Sequence, residues 1–202
     1  MKIEMGESLI YSWLRHEKLC QLVQTNWKVS PFWELENRQE IEDLFVICRN
    51  YFLEKHSLDI SKGCSLEQFL KQAEIDGIGI AYSTEAPYIY AVDVAYHEGG
   101  LNYGGKDETI TKIAQKCIRT ALCLYGYFCM STGEVLFVSP KITPAIETAL
   151  VPLFDEISKL LHDNGLNIKA ILHCNDSFSS EVMYPVVELS LIHISEPTRL
   201  RR

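Results

Sequence analysis

Asp93 stands in the run Pro87-Tyr-Ile-Tyr-Ala-Val-Asp-Val-Ala-Tyr96, a carboxylate between two valines in a stretch of β-branched and aromatic residues. In an extended strand Asp93, Ala95 and His97 share one face, and Val92, Val94 and Tyr96 share the other. A charge in so apolar a run carries a heavy desolvation cost unless a cation or a donor answers it. Asp76 opens the preceding run, Asp76-Gly-Ile-Gly-Ile-Ala-Tyr82, and across a hairpin the two acids can approach one pocket. Two hard oxygen ligands with room for water are what Mg²⁺ prefers. Glu7 is the third acid, one turn before Ile10 and Tyr11 on a helix that otherwise packs inward. In a first helical turn it also complements the positive end of the helix dipole.

A cation near these acids has several candidate sources. His97 lies on the same strand face as Asp93, Lys106 at the mouth of a glycine-rich loop, and Lys112 and Lys116 on the helix that follows. Lys112, Lys116 and Arg119 share one helical face opposite the apolar stripe, and for Lys116 and Arg119 the expectation is an ordinary solvated face. His97-Glu98-Gly99-Gly100 lacks the second histidine of a zinc-protease helix, and residues 99–105 lack the lysine context of a phosphate loop. His173-Cys174 are strand neighbours facing opposite sides, which argues against a cysteine hydrolase.

The elements that must position these groups follow from periodicity. Helical spacing predicts helices over 6–24 and 36–55, with Ser30-Pro31 breaking the chain between them. Ser65 and Gln68 form a capping-box signature for a short helix reaching Ala73. The period then changes to two, giving a hairpin from the Asp76 and Asp93 runs with 83–86 as its turn. A long helix over 107–127, a strand over 134–139, a helix opened by Thr143-Pro144 and reaching His162, a strand over 168–174 and a short helical segment over 177–185 complete the chain. The expected order is α-α-α-β-β-α-β-α-β, an α/β fold with a mixed sheet covered by helices, in a single domain.

This arrangement resembles the restriction-endonuclease-like superfamily, the PD-(D/E)xK nucleases. Their core is a helix carrying an acid, a hairpin carrying an aspartate on one strand and (Asp/Glu)-x-Lys on the next, a helix, and a further strand. The resemblance covers residues 5–140: Glu7 as the helix acid, Ile75-Asp76-Gly77 as the first motif, and Asp93-Val94-Ala95 as the second. It implies Mg²⁺- or Mn²⁺-dependent hydrolysis of phosphodiester bonds in DNA. Asp76, Asp93 and the Val94 carbonyl would hold the ion, Glu7 would bind a second ion or orient a water, and His97, Lys106 or Lys112 would position the nucleophile. Position 95 is alanine where the motif has lysine. The resemblance therefore also admits an inactive domain of this fold that binds nucleic acid or a protein partner. An unrelated small-molecule enzyme built on the 99–105 loop is the third reading.

Composition bounds these readings. The chain has 202 residues, 47% hydrophobic and 23% charged, with net charge −8 and mean hydropathy −0.01, which excludes disordered, collagenous and coiled-coil classes. Residues 189–199, Leu-Ser-Leu-Ile-His-Ile-Ser-Glu-Pro-Thr-Arg, resemble the in-frame translation of a transposase-type sequencing adapter over eleven consecutive positions. The expectation is a natural chain of residues 1–188, cut short near Glu188, and a non-native tail over 189–202. Without that tail the 19 basic residues become 16 and the 27 acidic become 26, so the charge is −10. Such acidity opposes binding of duplex through phosphate contacts alone. Seven cysteines without a CxxC pair read as reduced core thiols. No apolar run is long enough for a membrane span and the first residues lack a secretory pattern, so a cytoplasmic location is expected.

Overall fold

The computed structural model describes residues 2–82, 86–96, 100–101 and 103–188. The expected hairpin turn falls largely on residues outside this set, as do the tail and His97. Five strands form one mixed sheet in the order β1 (Leu22–Lys28), β2 (Glu74–Tyr82), β3 (Pro87–Val94), β4 (Thr132–Ser139) and β5 (Asn167–Cys174). The first three are antiparallel neighbours, while β3, β4 and β5 run parallel. Parallel neighbours need crossovers, and α4 (Lys106–Phe128) and α5 (Pro144–Asp163) supply them. These two pack with α2 (Arg38–His56) and α3 (Leu66–Lys71) over one face of the sheet. The other face carries α1 (Lys2–His16) and the C-terminal helical segment, α6 (Asp176–Phe178) continuing through a π-turn at Ser179–Met183.

The observed order, α-β-α-α-β-β-α-β-α-β before the C-terminal segment, corrects the expected one by a strand. Cys20 and Val23 continue the stripe of Leu9 and Trp13, which is why a helix over 6–24 looks continuous in sequence. The chain instead leaves the helix after His16, with Glu17 and Lys18 both donating N–H to the Trp13 carbonyl and Leu19 in the left-handed region at φ 53°. Cys20 then folds back under α1, its N–H on the Leu14 carbonyl, and β1 begins two residues later. β1 is an edge strand with its outer residues solvated, so its alternation is faint. Elsewhere the expected elements and the Ser65–Gln68 capping box are present. Of the cysteines, Cys64 is half-buried and Cys129, the left-handed cap of α4, is exposed, correcting the expectation that all sit in the core.

The alternation of glycine with isoleucine in β2 has a packing reason. Ile78 and Ile80 enter the core beneath α4, while Gly77 and Gly79 face α1. A Cβ on Gly77 would lie 2.7 Å from Ile10 Cγ2, and one on Gly79 would lie 2.6 Å from Cys20 Sγ and 3.1 Å from Leu14 Cδ2. The helix therefore rests on bare backbone, with Ile10, Trp13 and Leu14 fully buried against it. Gly77→Ala and Gly79→Ala are each expected to lower unfolding stability by about 1–3 kcal/mol, the usual cost of overpacking, measured by urea denaturation.

Candidate functional site

The β2–β3 ladder runs from Tyr82↔Pro87 to Gly77↔Val92, and the next residues on the two strands are Asp76 and Asp93. The regular pairing stops there. Asp76 Oδ2 instead accepts the Val94 N–H at 2.7 Å, a carboxylate standing in for a strand carbonyl. Asp93 turns to the opposite partner: it is 2% exposed, and its Oδ1 accepts from Lys116 Nζ of α4 at 2.8 Å. Thr120, one turn further along α4, reaches Oδ2 at the long distance of 3.5 Å.

The strand on the other side of Asp76 is irregular at the same place. Asn26 has φ 54°, and the β1–β2 register passes from Thr25↔Gly77 to Trp27↔Ile75 without an Asn26–Asp76 pair. Asparagine tolerates the left-handed region better than most residues. The chain changes face there, so that Val23 packs on the α1 side while Trp27 and Ile75 enter the core beneath α4. The Asn26 side chain donates to Glu7 Oε2 at 2.8 Å. Glu7 itself is brought close by Gly6, whose missing side chain lets α1 approach β3; a Cβ there would meet Val94 Cγ2 and Tyr96 Cβ at 3.3 Å.

The result is a cleft of about 240 Å³ lined by Glu7, Asn26, Glu74, Asp76, Val94, Tyr96 and Lys116, with Asp93 buried behind the lysine. Burial, then the charge of Asp93, pushes the Asp76 carboxyl up to about 6, while the Val94 N–H and Lys116 pull it back and Glu7 adds to the rise. Burial alone would lower the Lys116 ammonium, but the Asp93 charge and hydrogen bond outweigh it and raise the group to about 12. Lys116 is thus favoured as an ammonium by Asp93, whereas burial moves Asp76 toward the range in which it can exchange a proton or welcome a cation. Tyr103 sits within the field of the same groups, its phenol pushed up by burial and by Asp93 and Asp76 against the pull of Lys116.

Of the residues singled out in sequence, Glu7, Asp76 and Val94 line the cleft and Asp93 anchors it. Lys112 is directed elsewhere, pairing with Glu108 and donating to the Tyr103 carbonyl at 3.2 Å, its ammonium 5.3 Å from the Tyr103 ring centroid. Lys106 borders a separate cavity with His56 and Glu156. His97 and Gly99 lie outside the described residues. The solvated face expected of Lys116 and Arg119 is corrected at both positions. Lys116 holds Asp93, and Arg119 is 7% exposed, its guanidinium 4.7 Å from the Phe69 ring centroid and bonded to the Gln72 carbonyl and side chain. Among the described residues, the need of Asp93 for a cation is met at Lys116, from the helix packed on its strand face, rather than at Lys106 or Lys112. Burial and Glu147 push the Cys174 thiol up to about 12, away from any nucleophilic role.

Among the described residues, no group of three or more histidine, cysteine, aspartate or glutamate side chains could hold a metal ion. Asp76 lines the cleft and Asp93 lies behind it, 2% exposed and bonded to Lys116; so small a set of oxygen donors would suit only a largely hydrated Mg²⁺, which commonly takes one or two carboxylates and keeps its waters. No protein-family model, curated protein or solved structure matches the chain.

The Asp76 shift has a measurable sign. Its folded-state value, about 6, lies above the ordinary 3.8. Its contribution is fully present below the unfolded value and is lost as pH rises through 6. Asp76→Asn keeps an acceptor for the Val94 N–H and removes the charge. It is expected to stabilise the fold by about 1–3 kcal/mol at pH 7–8 and by little near pH 4, read from denaturation curves across pH.

Proposed function

We propose that the chain is a nuclease of the restriction-endonuclease-like class that hydrolyses phosphodiester bonds of DNA with Mg²⁺ or Mn²⁺. The observation that carries this reading is Lys116 on Asp93, beside Asp76, at the open end of the β2–β3 hairpin. It answers the alanine at position 95 by providing the motif's cation from the next helix. The order of a helix, an antiparallel hairpin, a helix and a parallel strand also supports it.

In this reading Asp76, Asp93 and the Val94 carbonyl hold the divalent ion, which supplies Lewis acidity and lowers the pKa of its water. Lys116, fixed as an ammonium by Asp93, orients the attacking water or steadies charge on the scissile phosphate. Glu7, held by Asn26, orients a second water. The substrate approaches the cleft from the sheet end at which Glu74, Asp76 and Val94 lie. A cytoplasmic location and delivery to DNA by a protein partner belong to the same reading. Among the described residues no helix is long and apolar enough to cross a membrane.

The second reading, a domain of this fold that binds without cutting, draws on the same pair, because Lys116 already occupies one oxygen of Asp93. Plasmid cleavage separates the two. With Mg²⁺ or Mn²⁺ the parent is expected to nick or linearise DNA. Asp93→Ala and Lys116→Met should cut at least about 100-fold more slowly, and Lys112→Ala within a few-fold of the parent. Equal cleavage by the parent and Asp93→Ala would sink the assignment. Independently of activity, Mg²⁺ should raise the melting temperature of the parent at pH 7 and leave that of Asp76→Asn unchanged.

A further inference from the structure

Two consecutive aromatic residues are held out into solvent at the same end of the sheet as the acidic cleft. β1 ends at Lys28, which lies opposite Glu74 in register and binds its Oε1 at 2.8 Å, and Glu74 lines the cleft. Just beyond Lys28 the chain makes a turn, with the Ser30 carbonyl accepting the Trp33 N–H at 3.2 Å and Ser30 Oγ accepting the Phe32 N–H at 3.3 Å. Pro31 fixes the backbone at the turn's second position. Phe32 is 91% exposed and Trp33 is 50% exposed. Trp33 is braced from behind by Trp27 and Tyr127, at centroid separations of 5.8 and 6.2 Å. A cavity of about 460 Å³ opens beside it, bordered also by Leu35, Leu70, Arg38 and Lys71. Trp33 is thus braced against the core, and the turn presents Phe32 beside it.

Its cations are largely answered within the protein: Arg38 is bonded to Glu67 at 3.1 Å and Glu42 at 3.5 Å, and Lys28 is paired with Glu74. With a net charge of −8, attraction for phosphates is a poor source of affinity. Base stacking is a different source, since it uses the apolar faces of the bases and does not need a basic stripe. Bases inside a duplex have both faces occupied by their neighbours, so only unstacked bases can use such a platform.

We infer that Phe32 and Trp33 form a base-stacking subsite, and that the nucleic acid this protein takes is single-stranded, or carries an unpaired segment, beside the phosphate at the cleft. The inference rests on the proposed nuclease reading for the identity of the ligand. It deepens that reading by naming the class of substrate.

The test is equilibrium binding of a labelled mixed-sequence single strand, and of its duplex, followed by fluorescence anisotropy in EDTA so that nothing is cut. The single strand is expected to bind the parent at least about tenfold more tightly than the duplex. The logarithm of its affinity should fall with the logarithm of salt concentration at a slope no steeper than about −2. Phe32→Ala alone should weaken it at least about fivefold, and Phe32→Ala with Trp33→Ala by roughly ten- to hundred-fold. Phe32 is so exposed that its variant cannot fail through misfolding, which keeps the test valid if Trp33→Ala is unstable. Equal affinity for duplex and single strand, unchanged affinity in Phe32→Ala, or no binding of either strand would overturn the inference. If the parent cleaves plasmid yet Phe32→Ala binds normally, the stacking subsite fails and the nuclease reading stands. If single-strand binding depends on Phe32 and no cleavage occurs, the reverse holds.

Discussion

A carboxylate that is 2% exposed in the middle of a sheet cannot stand alone, and the rest of this structure is arranged around the answer to it. Withdrawing an ion from water costs several kcal/mol even after relaxation, and the cost is met only if a countercharge arrives with good geometry. Lys116 meets that condition at 2.8 Å, tying α4 to β3. With Lys116 and Thr120 directed to Asp93, the stripe through Ile113, Cys117 and Ala121 lies in the core. A pair of apolar side chains would often hold two such elements together as well as an ion pair, or better. The pair is therefore better understood as what the sheet end requires chemically than as the source of the fold's stability.

The opposite face of the sheet is organised by absence of side chains. Gly6, Gly77 and Gly79 remove the atoms that would hold α1 away from β2 and β3. The close approach is what carries Glu7 to the rim of the cleft, where Asn26 holds it. Thus the two helices that deliver groups to the hairpin do so from opposite faces, α1 bringing a carboxylate and α4 an ammonium. They meet where the β2–β3 ladder ends at Gly77↔Val92, leaving Asp76 and Asp93 without a mutual strand pair although Asp93 keeps its register with Phe137 of β4. The left-handed backbone at Asn26 is the matching irregularity on β1. Two departures from regular sheet at one place, the end of the β2–β3 ladder and the left-handed Asn26, are the kind of irregularity that clusters at functional sites.

Much of this was legible in the sequence where period and burial agreed. The hairpin, the long helix after it and the alternating crossovers have strong periodicity, and Asp93 was conspicuous because a charge between valines has few bland explanations. β1 was not legible: Cys20 and Val23 fit a helical stripe as well as they fit a fold-back and a strand, and only the left-handed turn at Leu19 separates the cases. On its own helix Lys116 lies opposite the apolar stripe, where a solvated face is the ordinary reading. Helical position alone cannot report that a sheet residue needs a cation, so the lysine and the aspartate had to be considered together. Arg119 departs from a solvated face for a related reason. Its guanidinium is buried by α3 and the segment after it, through Phe69 and Gln72, and a helical wheel of α4 contains neither.

The acidity of the chain then acquires a role at the site. Glu7, Glu74 and Asp76 line the cleft against the single ammonium of Lys116, and that ammonium is already committed to Asp93. A phosphodiester approaching this end of the sheet meets like charge at short range, and screening by salt does little inside a partly buried cleft. In the proposed reading a divalent ion held by Asp76 and Asp93 would offset that negative charge, and so would help to admit the phosphate as well as supply Lewis acidity to a water. The same repulsion explains why affinity would have to come from elsewhere on the surface. An aromatic platform that grips bases is indifferent to the charge of the cleft beside it, and so can hold a strand that the carboxylates alone would turn away.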